Sequence, residues 1–249
     1  VKVLSEYILS LGQEAYIPNF FCKAYRPVLY IPSKEEVKEL LQKMDIRTSH
    51  NSEQFRLDRE CKILFLLYFC CGLRLSEGRL LKWEHIDLDK GILTVLGSKG
   101  NKDRLVYLPQ DSLPVLKNYK ERQEMLFPGI DWAFPGKDPH KPVSCSGVES
   151  SFNRHWAMLP VARTVDKHPT PHCLRHAFVV ERFNEWMHQG IDTNTMLPYL
   201  SRYLGHKSPD ETYYYYEKGL KCTGISIIEG ETYYFDENGK MMRNVEITV

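Results

Sequence analysis

The sequence predicts an α+β fold that is mainly α-helical with a small antiparallel β-sheet. Three observations carry this. Residues 58–71 (DRECKILFLLYFCC) are apolar on nearly every side and stop at Gly72, the pattern of a central helix closed in the favoured C-terminal position. Ser33, with Glu36 three residues on, forms a capping box ahead of the apolar stripe Val37, Leu40, Leu41 and Met44. Two β-rich runs, 92–96 and 104–109, flank Gly97-Ser98-Lys99-Gly100-Asn101-Lys102 and read as a β-hairpin.

The other elements follow in order. Residues 4–12 have helical spacing and stop at Gly12; a loop with Pro18, Pro27 and Pro32 comes next. After the central helix, the polar turn 73–77 leads into a short helix through Trp83. Gly78 lies inside it, and a glycine there costs about 1 kcal/mol relative to alanine, so this helix is expected to be locally loose. Residues 112–126 read as a helix and 128–143 as a Pro- and Gly-rich loop. Pro171 precedes a helix through about His188, and another runs from about Thr195 to Tyr203. The last helix opens with Ser208 as cap, Pro209 at its first position and Glu211 three after the cap, and it contains Tyr213, Tyr214, Tyr215 and Tyr216.

The 249 residues carry 33 Lys and Arg against 32 Asp and Glu, for a net charge of +1. A composition 43% hydrophobic and 26% charged is that of an ordinary globular protein, and it excludes a disordered tail, a collagen-like chain or a disulfide miniprotein. The longest apolar run, 63–71, is half of the roughly 20 residues a membrane helix needs. No signal peptide is visible at Val1-Lys2-Val3. The near-neutral sum argues against nucleic acid only until it is divided. Residues 223–249 hold five acids and two bases, net −3, which leaves +4 on residues 1–222. Residues 140–176 hold five Lys or Arg against two acids, and five of the nine histidines.

Seven cysteines, at 22, 61, 70, 71, 145, 173 and 222, include no C-x-x-C pair and read as reduced intracellular thiols. Only Cys173 with His172 or His176 suggests zinc, and no second ligand pair is spaced for it.

Arg74 follows the helix end at Gly72-Leu73 and, taken alone, reads as a surface arginine with Glu77 as its partner. Lys99, in the hairpin turn, reads alone as solvated. His172 and Arg175 lie three apart near a helix start and share a face. The tyrosine run alone reads as packing surface. Together these are the parts of a metal-free phosphodiester transesterification. Two guanidinium forks hold the charge that grows on the non-bridging oxygens. A lysine protonates the departing alkoxide. A tyrosine hydroxyl, with a reference pKa near 10, needs an acceptor such as histidine to become a nucleophile.

The stretch 71–109 (CGLRLSEGRLLKWEHIDLDKGILTVLGSKGNKDRLVYLP) resembles the first box and β-hairpin of the tyrosine recombinases, the phage-integrase family. His172-Cys173-Leu174-Arg175-His176 resembles their H-x-x-R-H box, and Leu204-Gly205-His206 with Thr212-Tyr213-Tyr214-Tyr215 their closing L-G-H and T-x-x-Y segment. The boxes agree in order and spacing over roughly residues 30–220, and the wording around 11–32 and 197–206 is similar to integrases of bacterial mobile elements.

The resemblance implies a DNA breaking-rejoining catalytic fold and a role for each matched residue. Arg74 and Arg175 would clamp the scissile phosphate. Lys99 would be the general acid for the 5′-oxygen, with Lys102 as the alternative. His172 would assist proton transfer, and His206 would hydrogen-bond a non-bridging oxygen. Tyr215, nine residues after His206, would attack phosphorus and form a 3′-phosphotyrosine link, with Tyr214 and Tyr216 as rivals. Glu77 and His176 match box positions as supporting residues. No cofactor, metal, membrane or small-molecule substrate is implied. The implied partner is double-stranded DNA, with assembly on it as a tetramer and a cytoplasmic, nucleoid-associated location in a bacterium.

The expected organisation is a remnant of an N-terminal helical DNA-binding domain plus linker (1–27), the catalytic domain (28–222) and an acidic hairpin-like extension (223–249). Because a separate DNA-clamping domain normally precedes the catalytic one, weaker DNA binding than that of a full-length member is expected. Residues 230–241 (GETYYFDENGKM) also resemble one repeat of bacterial cell-wall-binding modules. Their physical reading is a hairpin with aromatic strands and an Asn-Gly turn, either packed on the catalytic domain or left as a fusion scar. The expected activity is site-specific recombination in integration or excision of a mobile element. The alternatives are a catalytically impaired DNA-binding remnant and a type IB topoisomerase, which shares the chemistry but matches the L-G-H segment less closely.

Overall fold

The computed structural model describes residues 2–16, 30–46, 50–98, 102–165 and 168–206, with strand segments at 224–228, 231–235 and 241–242. It is mostly helical, with a small three-stranded antiparallel sheet. Helix α1 spans Lys2–Ser10. Helix α2, Lys34–Lys43, begins with the expected box: Ser33 Oγ accepts from the Glu36 N–H (3.2 Å) and Glu36 accepts from the Ser33 N–H (2.8 Å).

Helix α3, Ser52–Cys71, is the core of the molecule and packs against α2, α4 (Leu75–Arg79), α6 (Cys145–Trp156) and α7 (His172–His188). It starts six residues before the apolar run, because the Asn51 side chain accepts from the Glu53 and Gln54 N–H groups and caps a polar first turn. Phe65 meets Phe152 of α6 edge-on at 5.6 Å, and Phe152 stacks on Trp156 at 5.9 Å.

The sheet order is β1 (Ile86–Asp87), β2 (Ile92–Ser98), β3 (Lys102–Tyr107), with Ile92 opposite Tyr107 and Leu93 opposite Val106. Helix α5 covers Leu113–Leu126, and α8, Thr193–Leu204, is capped by Asp192. Phe178, Val179 and Phe183 of α7 pack on Leu197, Leu200 and Leu204 of α8. Strands β4 (Gly224–Ile228), β5 (Glu231–Phe235) and β6 (Met241–Met242) pair antiparallel in a second sheet. No helix among the described residues is long and apolar enough to cross a membrane.

Two details of α4 differ from the sequence reading. Helix α4 ends at Arg79 rather than Trp83. The backbone beyond it pairs elsewhere: Ala133 N–H donates to Leu81 O, and Trp83 N–H to Asp131 O, both at 2.9 Å. Gly78 is also no sign of looseness. A Cβ there would stand 2.5 Å from Tyr68 Cε1 and 2.9 Å from Leu64 Cδ1, so glycine is what lets α4 lie against α3.

Candidate active site

Four segments distant in sequence meet at one place: the α3–α4 corner, β3, the first turn of α7 and the end of α8. Gly205 closes α8 in the left-handed region, at φ 66°. The last carbonyls of a helix have no partner within it. Here three consecutive ones each receive an arginine. Tyr203 O accepts from Arg104 Nε (2.8 Å), Leu204 O from Arg175 Nη2 (2.9 Å) and Gly205 O from Arg74 Nη2 (2.7 Å). Cations at a helix C-terminus also suit its dipole. A Cβ on Gly205 would lie 3.3 Å from Arg104 Nη1 and 3.4 Å from Arg74 Nη1, so both guanidiniums use the room glycine leaves.

Glu77 holds the arginines together. Its side chain is 5% exposed. It accepts from the Arg74 N–H (2.7 Å), Arg74 Nη1 (2.8 Å) and both Nη atoms of Arg104 (2.8 and 2.7 Å). Arg175 Nη1 stands 3.8 Å away. Burial by itself would raise the Glu77 pKa. The hydrogen bonds from Arg104 and Arg74 and the Arg104 charge outweigh it and hold the carboxyl down at about 2. Three guanidiniums against one carboxylate leave the cluster net positive, which suits an anionic phosphate.

Arg175 is almost fully buried. Its Nη1 donates to Gly72 O (2.6 Å), so it ties the end of α3 to the end of α8. Its Nη2 also lies 2.9 Å from His206 Nε2. A guanidinium only donates, so Nε2 accepts and the ring proton belongs on Nδ1. Burial, then the charges of Arg175, Arg74 and Arg104, push His206 down to about 3. His176, buried one turn along α7 from His172, is also pushed down to about 3, by burial, His172 and Arg175. The two rings meet edge-on at 4.7 Å.

His172 shows a solvent-exposed surface while protein crowds the rest of it. That crowding, then Arg175 and Arg74, pushes its pKa down to about 4, against an opposing pull from Glu77. The open side moderates the shift without changing its direction. All three imidazoles are therefore neutral at pH 7, the form that accepts a proton.

Of the six residues singled out by sequence, the structure brings Arg74, Arg175 and His206 into one network and sets His172 one helical turn from Arg175. Lys99 and Tyr215 lie outside the described residues, as do Tyr213, Tyr214, Tyr216 and the Lys102 side chain. On the zinc reading, Cys173 Sγ takes up the Thr170 N–H (3.4 Å), and among the described residues no three His, Cys, Asp or Glu gather as ligands.

Arg104 is the residue that sequence reasoning misses. A signal for it exists: Arg104 shares strand parity with Val106 and Leu108, which are buried, whereas Leu105 and Tyr107 face out. An arginine on the inward face of a strand requires a buried partner.

The model of the phage integrase family matches residues 33–220. The chain belongs to the phage integrase family. Among the chain's relatives, the tyrosine recombinase XerA of Pyrococcus furiosus is 33% identical over 185 residues, covering 74% of this chain and 55% of that protein. Its fold is also that of XerH site-specific recombinase bound to difH in a post-cleavage complex: TM-score 0.58, 23% identity, 82% of this chain and 54% of that one. The Tn1549 transposon integrase in complex with circular intermediate DNA gives TM-score 0.62 at 14% identity, over 86% of this chain and 71% of that one. These curated relatives are longer proteins, and the chain spans between 46% and 70% of their length. A choline-binding repeat also matches, over residues 206–245, in the region of the second sheet.

Proposed function

We propose that this integrase cuts and rejoins double-stranded DNA site-specifically through a 3′-phosphotyrosine link, in the integration or excision of a mobile element. The observation that carries this is the convergence of Arg74, Arg175 and His206 on one positively charged corner, with neutral His172 beside it. The described bonds use one N–H on each Nη of Arg74, and each Nη carries two, so a phosphate adds to Arg74 without displacing Glu77.

In the proposed step, Tyr215 Oη attacks phosphorus. Its proton passes to the neutral His172 imidazole. The bond from phosphorus to the 5′-oxygen breaks, and Lys99, or Lys102, protonates that oxygen as it leaves. Arg74 and Arg175 hold the charge that grows on the non-bridging oxygens, where such contacts typically contribute about 10²–10³-fold each in rate. His206, carrying its proton on Nδ1, donates to one of them. The phosphotyrosine retains the bond energy, so a second 5′-hydroxyl reverses the step without ATP. The same reading includes assembly on DNA as a tetramer, in the nucleoid. The DNA-binding part of the reading is supported by the family and by the structures of XerH and the Tn1549 integrase, each a complex with DNA.

A test that works for any target site uses nicked duplexes of randomised core sequence. The full chain is mixed with them, without added metal, and protein–DNA adducts that survive denaturant are recovered and sequenced. The wild type forms an adduct and Tyr215→Phe does not. An adduct in Tyr215→Phe moves the nucleophile to Tyr214 or Tyr216. No adduct from the wild type across the library favours the impaired DNA-binding remnant.

A further inference from the structure

We propose that Arg104 is a positioning residue for strand cleavage, fixing the Arg74 guanidinium and the Gly205-His206 corner in the geometry the phosphate requires. This rests on the DNA-cleaving reading above. Arg104 makes three bonds with one planar group: a two-pronged contact to both Glu77 oxygens and an Nε–H bond to Tyr203 O. The first fixes α4, which carries Arg74 as its N-cap. The second fixes the end of α8, which carries His206. One rigid fork from β3 thus sets the distance between the two segments that bear phosphate-binding groups.

Arg104 also controls what Arg74 does. Glu77 has two oxygens, and Arg104 engages both. Without it, a buried carboxylate would face only Arg74, Arg175 and, farther off, His172. Arg74 is the nearest donor and would turn fully onto Glu77, away from the phosphate. Lysine is no substitute, because its three donors share one nitrogen, whereas Arg104 uses three nitrogens of a rigid planar fork to span two oxygens and a carbonyl. No bond from Arg104 to DNA is needed: its side chain is 10% exposed, and Nε, Nη1 and Nη2 each already donate to a protein acceptor.

The experiment uses the full chain and the duplex selected above. Arg104→Lys and Arg104→Ala are compared with the wild type in DNA affinity, single-turnover adduct rate and melting temperature. The adduct rate is expected to fall about 10²-fold in both variants, the scale of a misplacement of about 1 Å, while affinity changes only a few-fold. Free guanidinium ion is expected to restore part of the rate in Arg104→Ala but not in Arg104→Lys, where the side chain fills the space. A wild-type rate in Arg104→Lys would show that charge alone suffices and would overturn the proposal. So would affinity falling in step with rate, which would make Arg104 a DNA-binding group. If Arg104→Ala does not fold, the rate in Arg104→Lys decides. An active wild type with unaffected variants sinks the proposal alone, whereas an inactive wild type sinks the function it rests on.

Discussion

Glu77→Gln tests whether the arginine corner stands on one carboxylate. The substitution keeps the size of the side chain and removes its charge. In the wild type the Glu77 carboxyl is held at about 2 against an ordinary 4.5. At 1.36 kcal/mol per pH unit, this contributes about 3 kcal/mol at neutral pH. The side chain is nearly buried, so solvent screening removes little of it. Glutamine also turns an NH₂ toward guanidinium donors, which leaves donor facing donor. The expected loss is about 3 kcal/mol, within the range for breaking a buried ion pair from one side. Urea denaturation at pH 7 measures it as a lower midpoint at unchanged slope. The sign with pH is fixed. A depressed carboxyl contributes stability above pH 4.5 and loses it as pH falls toward 2, so the gap between wild type and variant narrows on acidification. A loss under 1 kcal/mol at pH 7, or a gap that widens in acid, would refute the reasoning.

Gly78→Ala should destabilise the protein by about 1–3 kcal/mol through overpacking against Tyr68 and Leu64, although alanine is the better helix former; a raised melting temperature would contradict this. His176 is pushed below its unfolded value of 6.5, so its contribution is present above pH 6.5 and is lost as pH falls toward about 3. While the unfolded chain holds that proton and the folded chain does not, His176 should add about 1.4 kcal/mol per pH unit to the fall in stability, beside the shares of His172 and His206, and His176→Asn should make the slope between pH 6 and 4.5 shallower by about that amount. Lys99→Ala should slow cleavage of ordinary DNA but much less of DNA carrying sulfur in place of the scissile 5′-oxygen, since a thiolate leaves without a proton. If Lys102→Ala shows that pattern instead, Lys102 is the general acid.

What the sequence makes legible is what is local. The box at Ser33 and Glu36, the stop at Gly72 and the hairpin pairing each depend on residues a few positions apart, and each appears in the structure. Arg74, Arg175 and His206 are legible because box order survives in one dimension. What stays hidden is long-range. Gly78 reads as a flaw in a helix until Tyr68 is placed against it, and Tyr68 is ten residues away in another element. Arg104 looks like one more charge beside Asp103, because its partners Glu77 and Tyr203 O are 27 and 99 residues away. Asn51 escapes notice as a cap because the first turn of α3 is polar and carries no apolar period.

The end of α8 explains why these residues act as a set. Three guanidiniums within one corner repel one another, and an isolated cluster of that kind would open in water. Glu77 removes one charge's worth of that repulsion. The carbonyls of Tyr203, Leu204 and Gly205 oppose the rest with fixed dipoles aimed at Arg104, Arg175 and Arg74. The positive field is therefore assembled by the fold and stands in place before any phosphate arrives. Groups held in that way need little reorganisation when charge develops on a reacting oxygen, and this is where electrostatic stabilisation is most effective. The same arrangement makes the arginines unequal. Arg175 is buried and bound to Gly72, Leu204 and His206, so it ties the fold together besides its proposed part in holding the phosphate. Arg74 is partly exposed with N–H groups to spare, so in the proposed reaction an incoming phosphate meets Arg74 first, with Arg104 behind it keeping Glu77 occupied.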